Sequence, residues 1–191
     1  DKTGYFWGNT VIIRFSKDGT ASSPITWNTS GTVILDEQNK GTSPKCIWVD
    51  NGDYNIISGF IVQNADYGIM VNVDSDNNLI SSNIACFNSV GISVGGGGST
   101  QNVLQSNYAF SNSSYGITVE GDENVLVSNL SYANTGNGIR MGPNVSSLTL
   151  SSNFSYGNTG QGLHVWGPLC SFKNNIIYSN SSYGIEVYEY A

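Results

Sequence analysis

Charge is scarce in this sequence. Charged residues make up 11% of 191, against about 25% in ordinary soluble domains. Seven Lys and Arg face fourteen Asp and Glu, for a net charge of −7. That balance excludes a nucleic-acid backbone as partner, because phosphate would be repelled. Histidine occurs once, methionine twice and proline four times. The three cysteines, Cys46, Cys86 and Cys170, are odd in number and lack C-x-x-C spacing. They exclude a zinc ribbon and a closed disulfide framework, and read as small buried hydrophobes with free thiols. No apolar run approaches the length, about 18 residues, that spans a bilayer as a helix. The chain starts at Asp1 rather than Met, which implies a removed leader or an excised piece.

Glycine and asparagine are abundant instead, at 23 and 24 residues, and they recur on a beat. Gly68-Ile69-Met70-Val71 returns as Gly91-Ile92-Ser93-Val94, Gly116-Ile117-Thr118-Val119, Gly138-Ile139-Arg140-Met141, Gly162-Leu163-His164-Val165 and Gly184-Ile185-Glu186-Val187. Cys46-Ile47-Trp48-Val49 is an earlier copy, and from it the steps are 22, 23, 25, 22, 24 and 22 residues. A second landmark, Asn64, Asn88, Asn112, Asn134, Asn158 and Asn180, keeps the same time. Five residues before it run Gly59, Asn83, Asn107, Asn129, Asn153 and Asn175. Two residues before it run Val62, Cys86, Phe110, Tyr132, Tyr156 and Tyr178.

Short alternating apolar runs broken by Gly, Asn and Ser specify strands and turns, not helices. A coil of 22–25 residues stacked on its neighbour sets equivalent residues roughly 4.8 Å apart, the spacing of paired strands. The reading is therefore an all-β fold, a parallel β-helix of about seven to eight coils over residues 1–191, with opening coils in 1–45 and regular repeats in 46–191. Ile and Val form inward ladders, Phe and Tyr an aromatic stack, and Asn an amide ladder in left-handed turn positions. Cys86 falls in the aromatic row and is expected to be buried. Cys46 and Cys170 lie about five coils apart, roughly 24 Å, too far to bridge.

These repeats resemble those of right-handed parallel β-helix proteins, the pectate-lyase-like and NosD-like solenoids. The segment Gly19-Thr20-Ala21-Ser22-Ser23-Pro24-Ile25, followed by Val33-Ile34-Leu35-Asp36, is similar to the first coils of polysaccharide-lyase-type β-helices. The resemblance implies the fold and the right hand of the coil. For function it implies only a range, since this solenoid serves lyases, epimerases, hydrolases, adhesins and surface proteins.

Alternation puts the second and fourth residues after each repeat glycine on the outside. One outer row reads Trp48, Met70, Ser93, Thr118, Arg140, His164, Glu186; the other reads Asp50, Asn72, Gly95, Glu120, Gly142, Trp166, Tyr188. Arg140, His164, Glu120 and Glu186 are the candidate catalytic residues, able to neutralise a uronate and move its C5 proton. Trp166, Tyr188 and Trp48 are the candidate sugar-stacking residues. The resemblance implies an Arg or Lys base with Ca²⁺ screening the substrate carboxylate. Against it, the chain has no Asp-Pro-His segment of the alginate-epimerase kind and no Lys on either outer row. A solvated face pairing its own charges explains the same residues.

Asp74 and Asp76, with Asp50 one coil earlier, offer oxygen ligands for Ca²⁺, though solvated turn carboxylates account for them equally. Gly95–Gly98 reads as a bulge absorbing the longest repeat. Of six N-x-S/T sequons, Asn28 and Asn144 have the best claim to exposure, whereas Asn129 and Asn153 belong to a turn ladder. The last repeat carries no capping segment, so either the chain is a fragment or copies of it cover each other end to end as an oligomer or filament. Two functions stay open. One is an extracellular or cell-surface structural solenoid that contacts glycans or its own copies. The other is a polysaccharide lyase or epimerase acting on uronates. No cofactor is required by the first. Ice binding is disfavoured because no Thr-x-Thr row repeats.

Overall fold

The computed structural model describes residues 11–38, 41–96, 98–143 and 145–188. Residues 1–10, Gly97 and the Asn144 sequon lie outside these residues. All regular structure within them is β. The chain winds as a right-handed parallel solenoid of about seven turns.

One eight-stranded parallel sheet runs the length of the coil: Val11–Phe15, Lys45–Asp50, Tyr67–Asn72, Val90–Val94, Tyr115–Val119, Ile139–Met141, Leu163–Trp166 and Ile185–Tyr188. The other sides of the coil are two stacks of short strands joined through the long strand Asn55–Gln63, which bends at Gly59 (φ +83°) and belongs to both. Strand Ile25–Asp36 pairs with it, with a bulge between Asn28 and Val33. The Asp that ends this strand is a cap: Asp36 accepts from the Gln38 N–H at 3.0 Å, the Gln63 amide at 2.9 Å and the Asn64 amide at 3.0 Å.

Register makes the ladders. Ile13, Ile47, Ile69, Ile92, Ile117, Ile139, Leu163 and Ile185 form one column, and Phe15, Val49, Val71, Val94, Val119 and Met141 its inward neighbour. Ile57, Ile80, Leu104, Leu126, Leu150 and Phe172 face them from across the coil. Burying each aliphatic side chain stabilises by about 1.5–3 kcal/mol, and the middle members are fully buried. In the last described coil Ile185 and Val187 are 55% and 62% exposed.

The Asn ladders are real, but the left-handed residue is not the asparagine. It is the one before: Ser82, Ser106, Ser128, Ser152 and Asn174 precede Asn83, Asn107, Asn129, Asn153 and Asn175, all with φ between 55° and 56°. The asparagine oxygen accepts a backbone N–H one coil back, and its amide donates to a carbonyl of that same preceding coil, three residues earlier. Asn107, for example, accepts from the Asn83 N–H at 3.0 Å and donates to the Ile80 carbonyl at 2.8 Å. Asn64 and Gly59 are therefore left-handed residues (φ +57° and +83°), and the ladder positions of their coil are Ala65 and Phe60, which donate to Asn88 and Asn83. The same one-residue slip corrects the aromatic row. Cys86 pairs with Gln63, not Val62, and Val62 heads a small inward column continued by Ala85, Ala109, Ser131, Ser155 and Ile177. Phe110, Tyr132, Tyr156 and Tyr178 stack at 4.9, 5.2 and 5.0 Å. All three thiols are free.

The repeat glycine has a steric cause. A Cβ on Gly116 would lie 2.6 Å from the Gly138 carbonyl oxygen and 2.7 Å from the Asn134 amide nitrogen. The glycine clears space for the next coil's ladder asparagine, so the two landmarks travel together.

Candidate functional site

The outer face of the eight-stranded sheet carries the one histidine together with Arg140, Glu120 and Glu186, and pairing places them in columns as alternation requires. Thr118, Arg140, His164 and Glu186 are successive partners. Trp166 pairs with Tyr188. The middle of the face is floored by small residues: Ser93, Gly95, Thr118 and Gly142. Gly95 and Gly142 make room for one side chain, since a Cβ on Gly95 would meet the Glu120 Cα at 2.8 Å, and one on Gly142 the Glu120 Cγ at 2.7 Å. Glu120 lies flat across this cradle and bonds Arg140 at 3.0 Å. Arg140 also reaches Thr118 at 3.4 Å and covers the Tyr115 ring at 5.3 Å.

One coil on, three rings meet edge to face: His164 with Trp166 at 5.5 Å, His164 with Tyr188 at 5.3 Å, and Trp166 with Tyr188 at 5.4 Å. The Tyr188 hydroxyl donates to Glu186 at 2.9 Å, and the Gln161 amide donates to its other oxygen. That hydrogen bond pushes the Tyr188 phenol upward. His164 Nε2 lies 3.9 Å from Glu186, and its Nδ1 is buried with no hydrogen-bond partner. Burial lowers the His164 pKa below its ordinary 6.5, partly opposed by the Glu186 charge, so the imidazole is neutral at pH 7. The four candidate catalytic residues thus form two adjoining pairs, and Trp166 and Tyr188 stand beside the second.

Trp48 does not join them. It lies at the other end of the sheet, under Arg14 (4.9 Å to the ring centre) and Lys45 (5.2 Å), and donates to Asn72 at 2.5 Å. Asp50 is ion-paired with Arg14. Asp76 accepts from the backbone N–H and the hydroxyl of Thr100, at 2.6 and 3.2 Å. Asp50, Asp74 and Asp76 do not gather: among the described residues no three His, Cys, Asp or Glu side chains form a cluster able to hold a metal. A shallow depression of about 510 Å³ lies at the turn before the sheet, between Asp66, Phe87, Ser111 and Ser113. Asp66 is the one acid or base in its lining, so the concavity and the chemistry do not coincide.

Sequence reasoning missed Arg14, Tyr115 and Gln161. Arg14 stands 34 residues before its partner Trp48, because the first coil is longer than the repeat. Tyr115 and Gln161 precede the repeat glycines, where strict alternation points them inward. The Cβ that Gly116 lacks would itself point inward, at Ser131 and Asn134, so alternation slips by one there and Tyr115 turns out to Arg140. A third Asn ladder, Asn55, Asn78, Asn102 and Asn124, was readable five residues before Asn83, Asn107 and Asn129. The sequon asparagines Asn112, Asn129 and Asn153 are buried in ladders, and Asn28 is exposed.

Residues 6–184 match the family described as periplasmic copper-binding protein (NosD). No curated protein matches the chain. Among solved structures, an alginate lyase from Paenibacillus sp. str. FPU-7 is 19% identical with a TM-score of 0.71, over 87% of this chain and 68% of that one. Pectate lyase Pel9A is 16% identical with a TM-score of 0.69, over 97% and 62%. The periplasmic alginate epimerase AlgG is 19% identical with a TM-score of 0.58, over 83% and 44%. At this identity the likeness is one of fold, and the chain spans less than two thirds of the second and third of these proteins.

The donors here do not fit the copper of the family description. A copper site takes several convergent imidazole, thiolate or thioether ligands. His164 is the one histidine, and Met70 lies four coils away, roughly 19 Å at sheet spacing. Met141 points into the core. Burial pushes the Cys46 thiol up to about 12, and it donates to the Leu35 and Gln63 carbonyls. Cys86 is buried on the far side of the coil, in the aromatic row.

Proposed function

This chain belongs to the NosD family, and on that premise we propose that it is a glycan-binding β-helix working outside the cytoplasm, in the periplasm or beyond it. The family description is periplasmic, and the fold neighbours act on polysaccharides. The observation that carries the reading is the ring cluster of His164, Trp166 and Tyr188 at 5.3–5.5 Å beside the hydrogen-bonded Glu186 carboxylate. Partly wet aromatic rings flanked by oriented polar groups suit a sugar, which offers C–H faces and hydroxyl edges together. The sheet is continuous over eight strands, and each coil presents a pair of outward positions to a chain laid along the axis.

The test is glycan binding by affinity electrophoresis and calorimetry, wild type against Trp166→Ala and Tyr188→Ala. The expected result is retardation by a glycan and a loss of about tenfold in each variant, the cost of a ring contact. Absence of binding across a broad glycan panel overturns the proposal.

A second reading, proton abstraction from a uronate, draws on the neutral His164 imidazole. It asks Arg140 to leave Glu120 for the substrate carboxylate. Unsaturated product from alginate or pectate, lost in His164→Ala, supports it.

A further inference from the structure

We infer that the glycan this face takes is uncharged, a neutral polysaccharide rather than a polyuronate. The inference rests on the glycan-binding reading and narrows it. The cations described on the face are each already engaged, two by a carboxylate and the third by burial. Arg14 is ion-paired with Asp50 and lies over Trp48. Lys45 is buried, donates to the Ser43 carbonyl at 2.9 Å and feels the charge of Asp66. Arg140 is bonded to Glu120, which sits in the space left by Gly95 and Gly142.

Glu186 adds a negative charge, and its basic neighbour His164 is neutral at pH 7. A polyuronate brings one carboxylate per sugar to a chain of net charge −7. To be recognised it must take Arg140 from Glu120, leaving two carboxylates side by side where one was paired, and like charges so placed repel. A neutral sugar meets no such conflict. Its hydroxyls donate to the exposed Glu120 and to Glu186 and accept from Gln161, and its ring lies against Trp166 and Tyr188. Paired, fixed charges are good hydrogen-bond acceptors for hydroxyls without attracting counter-charges.

The experiment uses the whole chain with two sets of probes of equal length. One set is neutral (cello-, laminari-, manno- and xylo-oligosaccharides) and the other charged (oligomannuronate and oligogalacturonate). Calorimetry is run at low salt and near physiological salt. The expected result is that at least one neutral probe binds with an affinity insensitive to salt. The uronates bind at least about tenfold more weakly, and more weakly still as salt falls and repulsion is less screened. Glu120→Gln, which releases Arg140, is expected to raise oligouronate affinity about three- to tenfold. A uronate that binds as tightly as the best neutral probe and tightens at low salt overturns this inference while leaving glycan binding intact. Unchanged uronate affinity in Glu120→Gln also overturns it, because the Arg140 pairing would then not be what excludes anions. If neither set binds, the glycan-binding proposal itself falls.

Discussion

The inside of this solenoid and the outer face of its long sheet are made by the same strands under opposite rules. Inward, every coil repeats the last: Ile69, Ile92, Ile117 and Ile139 in one column, Asn83, Asn107, Asn129 and Asn153 in another. Outward, one row never repeats: Trp48, Met70, Ser93, Thr118, Arg140, His164 and Glu186 are seven different residues on seven successive coils. Stacking asks the same of every coil, so the interior answers identically, whereas the outer row is free of that demand. Repetition marks structure here, and variation on a repeating frame marks where a site can be built.

The largest effect that sharpens this contrast comes from breaking a ladder in the middle. Asn107→Ala orphans the Asn83 N–H and the Ile80 carbonyl, both fully buried, at about 1–3 kcal/mol each. A loss of about 3–5 kcal/mol by urea unfolding is expected. Asn72→Ala on the outer face removes one acceptor from Trp48 and is expected to cost under about 1 kcal/mol. Equal losses would erase the distinction.

Next comes Gly116→Ala, whose new methyl meets the Gly138 oxygen and Asn134 amide at 2.6 and 2.7 Å. Overpacking of this kind costs about 1–3 kcal/mol. Gly157 is also a glycine between coils, but a Cβ there meets nothing within 4 Å, and its φ of +63° is one asparagine adopts. Gly157→Asn is expected to stay within about 1 kcal/mol of wild type. Thermal melts of both variants separate the glycine that clears space from the glycine that merely turns.

A smaller effect is expected from Arg140→Ala. Its pair with Glu120 is partly exposed, at 21% and 46%, and such pairs contribute under about 1 kcal/mol. Denaturation should barely shift while glycan affinity changes. A large loss of stability would move this residue into the structural class and weaken the case for a site.

The same contrast explains what the sequence made legible. Coil length, the aliphatic columns and two of three Asn ladders could be read because a period repeated six times overrides single substitutions. The slip at Val62 and Asn64 escaped because the strand Asn55–Gln63 runs through its corner unbroken, and counting alone cannot tell a left-handed residue from the ladder residue after it. The face was legible as rows, since Arg140, His164 and Glu186 were expected on successive coils and are there. Its partners were not. Arg14 binds Asp50 from a first coil off the period, and Gln161 reaches Glu186 from a position that alternation assigns inward. Register is periodic, but side-chain pairing is not.

The smallest effect is the acid limb of the stability profile, and it tests the neutrality of His164. Burial holds the folded pKa of this imidazole below the unfolded value of 6.5. Between the two values the unfolded chain binds more protons than the folded one, so folding stability is complete above about pH 6.5 and falls as pH drops toward the folded pKa. The ring is partly exposed and Glu186 opposes the shift, so the slope is shallow. His164→Gln removes the titrating group and should flatten the wild-type profile between pH 7 and the onset of carboxylate protonation, near pH 4–5, in urea midpoints taken at each pH. Glu186→Gln removes the charge that favours the imidazolium, lowers the His164 pKa further and should steepen the same limb. A wild-type profile that rises on acidification through this range would mean a protonated His164 paired with Glu186. The face would then carry an extra positive charge, and the argument for an uncharged glycan would lose one of its supports.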